Sequence, residues 1–435
     1  MRQRLEQYFE FSRLGANWRT EILAGTTTFI TMAYVIFLNP SILAEAGMPF
    51  QAVVAATCFS AALGSLLMGT VARYPIALAP GMGLNAYFTY TVVKGMHVPW
   101  ETALGAVFLS GVAFLILTLA GATRLIAEAI PRELYAAVAA GIGLFIAMIG
   151  LRNAGIIVAS PSTLVTLGNL RDKNTLLAIF GLVLTSALLA WGLRAAMLLG
   201  ILTTTLVGAV FGLVSWSPQS YHLTDIGATA GKLDIVAASK LGLLEVVFVF
   251  LFVDVFDNLG TLVAVSKKAG LLDERQRIPR LRRILLADAS ASIAGSLAGT
   301  STVVSYIESA AGVAAGGRSG VTAIVTGVLF AAALFVAPLV GAVPAAATAP
   351  ALIVVGSLMM SHVGEIPWST PGVAVPAFLT ILTIPLTFSI ATGLSFGFTA
   401  YALLKLARGE FRRGDWLVYL LAALFIARFV YLGST

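Results

Sequence analysis

The sequence predicts an all-α polytopic membrane protein of about fourteen transmembrane helices in a seven-plus-seven inverted repeat, with short strands where spans three and ten break. Three observations predict it. First, 59% of the 435 residues are hydrophobic and 11% charged, with a mean hydropathy of +0.95; soluble domains carry about 25% charged residues. Second, the stretches 22–44, 51–72, 102–123, 174–193, 195–224, 319–364 and 366–404 contain no Asp, Glu, Lys or Arg. One helical span needs about 20 apolar residues, so the last two stretches must each hold two. Third, the two halves share a pattern. Residues 61–86 read AALGSLLMGTVARYPIALAPGMGLNA and 291–315 read ASIAGSLAGTSTVVSYIESAAGVAA. Each is a Gly-Ser-Leu helix, a β-branched or aromatic stretch, then a Gly-rich helix start. An odd number of spans separates equivalent elements, so the second copy is inverted. Strand alternation is absent, which argues against an outer-membrane barrel.

The chain opens on the polar MRQRLEQYFEFSRLGANWRTE. Residues 1–20 are expected to form an amphipathic interfacial segment on the cytoplasmic face, with no cleavable leader. Spans follow near 21–44, 50–71, 76–94, 101–122, 134–151, 175–193, 195–215, 243–265, 283–299, 303–316, 319–338, 345–361, 373–388 and 390–406. The apolar run after Arg412 and Arg413, within 416–431, is compatible with a further span or an interfacial helix. Basic residues orient the chain. Arg2, Arg4, Arg13 and Arg19 place the N-terminus in the cytoplasm. Counting from there, the connection after span eight should be cytoplasmic, and it reads SKKAGLLDERQRIPRLRR. The polar 217–240 then falls outside. The net charge of +7 is topology charge and implies no nucleic-acid partner.

Spans three and ten are predicted to be broken. Pro75 and Pro80 flank residues 76–79, and Gly81 and Gly83 follow, so a helix can begin only near Gly81. In span ten, residues 301–306 have high β propensity, and a helix from Ile307 would carry Glu308 in its first turn. Irregular backbone at this depth needs protein or a cavity over it. Paired breaks in the two halves therefore point to the binding site.

Carboxylates at membrane depth are costly and mark function. Asp254, Asp257 and Glu308 lead; Glu245 and Asp288 lie nearer predicted span ends. Asp254, Asp257 and Thr261 fall at i, i+3 and i+7, a polar stripe turned to protein, with Asn258 on the same side. Asp254 reads either as a proton partner or as a structural tie. Asn85, after the first break, offers donors and an acceptor to a heterocycle, or satisfies unwound backbone. His97, His222 and His362 fall in connections, so a proton relay inside the membrane must use carboxylates. Cys58 is a small buried hydrophobe, and neither a metal site nor a cofactor is implied.

The motifs AGTTTFITMAYVIFLNPSIL (24–43), APGMGLNAYFTY (79–90), FVDVFDNLGTLVAV (252–265), STVVSYIESAAGVAAGGRSG (301–320) and PLTFSIATGLSFGFTAY (385–401) span the chain. Together they resemble the AzgA-like purine permeases, a branch of the xanthine–uracil permease superfamily of nucleobase–cation symporters. The resemblance implies a core domain of spans one to four (21–122) and eight to eleven (241–338). It implies a gate domain of spans five to seven (123–240) and twelve to fourteen (339–435). The core would slide against the gate, an elevator, to carry hypoxanthine, guanine, adenine or xanthine with a proton as the coupling ion. Asp257 and Glu308 then hydrogen-bond the base, and Asn85 matches the polar residue of span three. Related uracil carriers have His where Thr261 stands, which weakens a proton role at that position. Ser309 after Glu308 departs from the xanthine–uracil–ascorbate pattern.

The predicted substrate site is thus Asp257, Glu308, Asn85, Gly83, Thr261, Phe256 and Tyr306, with Asp257, Glu308 and Asp254 coupling protons. Phe256, Tyr306, Tyr87 and Phe88 are available to stack on a flat ring. The resemblance and the short connections imply a bacterial inner (cytoplasmic) membrane, with lipid around the protein. The resemblance is also compatible with a homodimer through the gate domain, as related carriers often form, which no residue here specifies. The competing readings are a uracil- or xanthine-type carrier, a sulfate-permease-like anion carrier of the same fold, a membrane-embedded aspartyl enzyme, and a channel. An anion carrier should place a basic group or bare helix N-termini in the site, not Asp257 and Glu308. Two aspartates on one helical turn flank a scissile bond poorly, and the polar stripe is sparse for a wet pore.

Overall fold

The computed structural model describes residues 2–123, 131–214, 223–274, 277–410 and 416–431. Arg275, Arg412, Arg413, His222 and part of the 217–240 segment lie outside them. In chain order the helices are α1 (Arg2–Tyr8), α2 (Phe11–Leu14), α3 (Trp18–Met32), α4 (Val35–Ala44), α5 (Phe50–Leu67), α6 (Met82–Ala86), α7 (Trp100–Leu119), α8 (Arg132–Asn153), α9 (Lys173–Ala190) and α10 (Ala196–Val210). There follow α11 (Ile235–Ala238), α12 (Leu244–Ala269), α13 (Leu281–Ala298), α14 (Ser309–Ala314), α15 (Gly320–Ala333), α16 (Ala337–Val340), α17 (Ala345–Met359), α18 (Pro371–Thr387), α19 (Ile390–Ala407) and α20 (Trp416–Tyr431). Among the described residues, eight helical stretches are long and apolar enough to cross a membrane. Shorter apolar helices lie at three of the other six predicted positions, near 195–215, 319–338 and 373–388, and at 416–427.

The strands are β1 (Leu78–Pro80), β2 (Ile157–Ser160), β3 (Leu164–Leu167) and β4 (Val303–Ser305). Both broken spans take the expected form, a strand followed by a short helix. β1 pairs antiparallel with β4 in the register Leu78↔Ser305, Ala79↔Val304, Pro80↔Val303. Gly81 N–H to the Thr302 carbonyl (2.9 Å) and Tyr306 N–H to the Ala77 carbonyl (3.0 Å) extend the ladder at each end. Each strand is too short to form a sheet alone. Each satisfies the other's backbone, so unwound chain is tolerated in the interior.

Three local features depart from the sequence reading. Residues 157–167 form an exposed hairpin, β2 with β3, where only a connection was expected. Its β-branched alternation was masked by the stronger apolar helical runs on either side. α6 continues as a π-helical stretch, Tyr87–Gly95, instead of an ordinary helix. The N-terminal segment is two helices, broken where Glu10 adopts left-handed backbone, and the second ends at the left-handed Gly15. It is tied down by packing of Phe9 and Phe11 against Val321 and by ion pairs from Glu10 to Arg73 and Arg280.

The helices sort into two packed sets. α3 to α7 pack with α12 to α15; α8 to α10 pack with α17 to α19, and α20 lies on α19. Few elements touch across the divide: α6 meets α8, α4 meets α17, α3 meets α10, and α12 meets α19.

Candidate functional site

α12 carries both aspartates of the polar stripe, and the structure sends them to different places. Three residues at about 100° each leave Asp257 some 60° around the helix from Asp254. Asp254 is completely buried against α13 and β4. Asp257 faces a cavity between the two helix sets, lined by Gly83, Leu84, Tyr135, Val138, Ala139, Ile142, Phe252, Val253, Phe256, Asp257, Met359 and Phe398.

Asp257 is the only charged residue of that lining, and four of the others are aromatic. Phe252 and Phe256 lie 4.6 Å apart between centroids, Phe252 and Phe398 5.6 Å, and Tyr135 and Phe256 6.0 Å. The rings belong to both sets, α12 on one side and α8 and α19 on the other. Gly83 lets α6 approach α8: a Cβ there would stand 2.6 Å from Ile142 Cγ2. Gly260, three residues past Asp257, leaves the room that the Tyr135 hydroxyl occupies. An apolar slot with aromatic walls and one carboxylate suits a flat ligand that donates N–H groups.

Of the sequence-predicted residues, Asp257, Gly83 and Phe256 line this cavity. Glu308 lies outside the lining but is near enough to Asp257 to act on it electrostatically. Its carboxylate accepts a 2.6 Å bond from the Tyr34 hydroxyl, and Tyr34 sits at the joint between α3 and α4. The helix α14 starts at Ser309, two residues later than the expected Ile307, so Glu308 stands just before the helix and not within its first turn. The Tyr306 hydroxyl donates to the Pro80 carbonyl, so this ring clasps the two strands and does not face the cavity. Thr261 is buried one turn beyond Asp257 and is not in the lining.

Asn85 is also outside the lining. It is completely buried, donates to Asn39 Oδ1 (2.6 Å), and accepts from the Ser301 hydroxyl. Asn39 in turn donates to Thr57 Oγ1 (2.6 Å) and Thr300 Oγ1 (2.9 Å). The chain of amides and hydroxyls stitches the first break to the second.

The sequence reading missed Tyr135, Ile142, Met359 and Phe398, because the helices bearing them carry no depth charge. It also passed over Glu21. That carboxylate, 0% exposed, accepts from Arg318 N–H (2.9 Å), Ser319 N–H (3.1 Å), Thr322 N–H (3.2 Å) and the Thr322 hydroxyl (2.6 Å). It caps the start of α15 from another helix, where the dipole favours an anion.

Away from the cavity, a polar cluster ties the two sets together. Glu45, just after α4, bonds Lys94 (2.6 Å), Tyr90 (2.7 Å) and, across the divide, Asn153 (3.1 Å). Arg152 lies 3.9 Å from Glu45 and 5.2 Å over the Tyr90 ring. The Thr91 hydroxyl donates to the carbonyl of Phe388, whose backbone is left-handed between α18 and α19. Ile142, the lining residue of α8 nearest the cluster, is 11 residues from Asn153, so cluster and cavity stand about 16 Å apart along that helix.

Two packed sets of apolar helices, crossing broken spans and a cavity at their boundary are the architecture of a multi-pass membrane protein. The family model Xan_ur_permease, described as a permease family, matches residues 19–396, and the chain belongs to that family. It is 46% identical to the guanine/hypoxanthine permease PbuG of Bacillus subtilis, over 98% of this chain and all of that one. It is 43% identical to the adenine permease AdeP of Escherichia coli, over 99% of this chain and 97% of that one. Its fold is similar to the transmembrane domain of a cyanobacterium bicarbonate transporter, BicA, with a TM-score of 0.68 at 17% identity. That match covers 87% of this chain and 98% of the other.

Proposed function

We propose that this permease takes up purine nucleobases together with protons. The observation that carries the reading is the aromatic slot with Asp257 as its sole charged wall. Guanine and hypoxanthine present ring N–H groups that a carboxylate accepts, two at once for guanine N1 and N2. The rings of Phe252, Phe256, Phe398 and Tyr135 supply faces for a planar base. Relatives that share over 40% of the sequence and are named for adenine and for guanine/hypoxanthine support the same substrate class. An anion carrier is disfavoured, since a carboxylate without a cation in the lining repels an anion.

The slot lies between the two helix sets, which supports alternating access by movement of one set, a core, against the other, a gate. With the N-terminus in the cytoplasm, the cavity sits in the cytoplasmic half and the Glu45 cluster at the outer end. The cluster then holds the outer side closed while the inner side is loaded or emptied. Opening outward requires the Glu45–Asn153 and Thr91–Phe388 bonds to break. Asp257, Glu308 and Asp254 are the carboxylates available to carry the proton.

Uptake of labelled hypoxanthine, guanine, adenine, xanthine and uracil into vesicles, with and without a proton gradient, tests this. Purine uptake that collapses with a protonophore is expected. Absence of purine uptake would sink the substrate reading, and uptake indifferent to the protonophore would sink the symport reading.

A further inference from the structure

We propose that Asp254 and Asp288 form a proton-binding site separate from the substrate cavity, and that the proton they share is the one coupled to transport. The proposal rests on the symport reading above and locates its proton.

Both side chains are 0% exposed, Asp254 on α12 and Asp288 on the adjoining α13. Their donors are few. Asn258 Nδ2 donates to Asp254 Oδ1 (2.7 Å) and to the Asp254 carbonyl (2.9 Å). The Ser292 hydroxyl lies 3.5 Å from Asp254 Oδ2 but 2.7 Å from the Val303 carbonyl, and its single hydrogen serves the closer acceptor. The Ser305 hydroxyl lies 3.4 Å from Asp288 Oδ1. Asp288 Oδ2 is buried and has no hydrogen-bond partner.

No cation compensates. Among the described residues neither aspartate is in an ion pair. The charged groups that act on them are Asp257, which acts on both, and Asp254, which acts on Asp288; all are carboxylates. Of the elements packed on α12 and α13, α5, α6, α14, β1 and β4 contain no Asp, Glu, Lys, Arg or His. α7 contributes only Glu101 in its first turn, and α19 only Lys405 in its last.

Glu21 makes the contrast. There the same protein gives one buried carboxylate four donors from the start of a helix. Around Asp254 and Asp288, four carboxylate oxygens compete for little more than one good donor. Two ionised carboxylates cannot share such a site; one proton removes a charge and turns an acceptor into the missing donor.

The pair is also wired to the substrate side. Asn258 Oδ1 accepts from Ser305 N–H (2.7 Å), and Ser292 accepts from Val303 N–H (3.2 Å) while donating to its carbonyl. Both partners belong to β4, which runs directly into Tyr306 and Glu308. Asp257 is three residues from Asp254 on the same helix. Loading or losing the proton therefore changes the support of β4 and the field at the cavity carboxylate together.

The test uses the full chain in proteoliposomes, with labelled hypoxanthine or guanine as probe. Asp288→Asn, which mimics the protonated acid, is expected to fold. It should keep at least about a tenth of wild-type exchange against unlabelled base, yet lose uphill accumulation driven by a proton gradient by about tenfold or more. Substrate-induced proton movement, read with a trapped pH dye, is expected to vanish. Asp254→Asn should behave in the same way. Coupled accumulation by Asp288→Asn at the wild-type level overturns the proposal. So does loss of exchange with normal thermal stability, or failure of both Asn variants to fold, because a neutral isostere must be tolerated where a proton resides. A wild type indifferent to protonophore defeats the symport reading instead.

Discussion

The two broken spans meet in one small sheet, yet their surroundings differ in kind. Around the start of α6, Asn39, Thr57 and Asn85 of the first half join Thr300 and Ser301, just before β4, in a neutral chain of amides and hydroxyls, each completely buried and bonded to another member. On the β4 side stand Asp254, Asp288 and Glu308, with one carboxylate oxygen unpartnered. The backbone repeats and the chemistry does not. A neutral network with its bonds made fixes geometry; a carboxylate cluster short of donors has protonation states to exchange. The neutral chain, drawn from both halves, holds the crossing rigid, and the buried acids beside β4 come from the second half alone.

Several substitutions would break or sharpen this contrast. The largest effect is expected at the acidic side: Asp257→Ala should lower initial purine uptake by about 100-fold or more, because the base loses its only charged partner in the lining. Immunoblotting of membranes checks that the protein is still inserted, and wild-type uptake would remove Asp257 from the site. Asn39→Ala probes the neutral side. It should cost about 2 kcal/mol or more of stability by leaving Thr300 and Asn85 short of a partner, while folded protein still binds base. Thermal unfolding in detergent, with a binding assay alongside, separates the two; unchanged stability would contradict a scaffold role.

Smaller changes should follow. Gly83→Ala pushes a methyl toward Ile142 Cγ2 and is expected to raise KM about tenfold. Tyr34→Phe removes one hydrogen bond from Glu308 and should slow uptake about threefold to fivefold. A rate equal to wild type would show that this bond does not orient Glu308.

The smallest expected effect lies at the Glu45 cluster, outside the spans. Burial opposes ionisation there, but Lys94, Tyr90 and Asn153 outweigh it and hold the Glu45 carboxyl below its usual range. The sign follows: its hold across the divide is complete above the ordinary carboxylate pKa and fades only as pH falls through the lowered value. Exchange rates should therefore be insensitive to this group near neutrality. Glu45→Gln should change them about twofold, as befits a half-exposed ion pair. A steep change near neutral pH that vanishes in Glu45→Gln would contradict that ordering.

Much of this was legible in the chain itself. Uncharged runs with few exceptions fix helices in a membrane, and Pro75, Pro80 and the β-branched 301–306 mark the breaks, because these are local effects of backbone chemistry. Asp257 and Glu308 stood out because charge at depth is rare. The helical projection by itself does not separate neighbours on one turn; the family resemblance, not the spacing, prefers Asp257 for the base. Asp254 and Asp257 share a stripe in the helical projection, and only the packing of α13 and β4 buries one while the cavity receives the other. Asn85 reads from sequence as a ligand group or as a tie for unwound backbone, and its amide bonds Asn39 and Ser301, both distant in sequence. Tyr135 and Phe398 carry no signal, since an aromatic ring in a membrane helix is ordinary. The sequence by itself determined the helices, the breaks and the rare carboxylates, since each depends on residues within a turn or two. Tertiary structure alone decided which polar groups are satisfied and which remain open, since a hydrogen-bond partner or a cavity wall comes from another part of the chain.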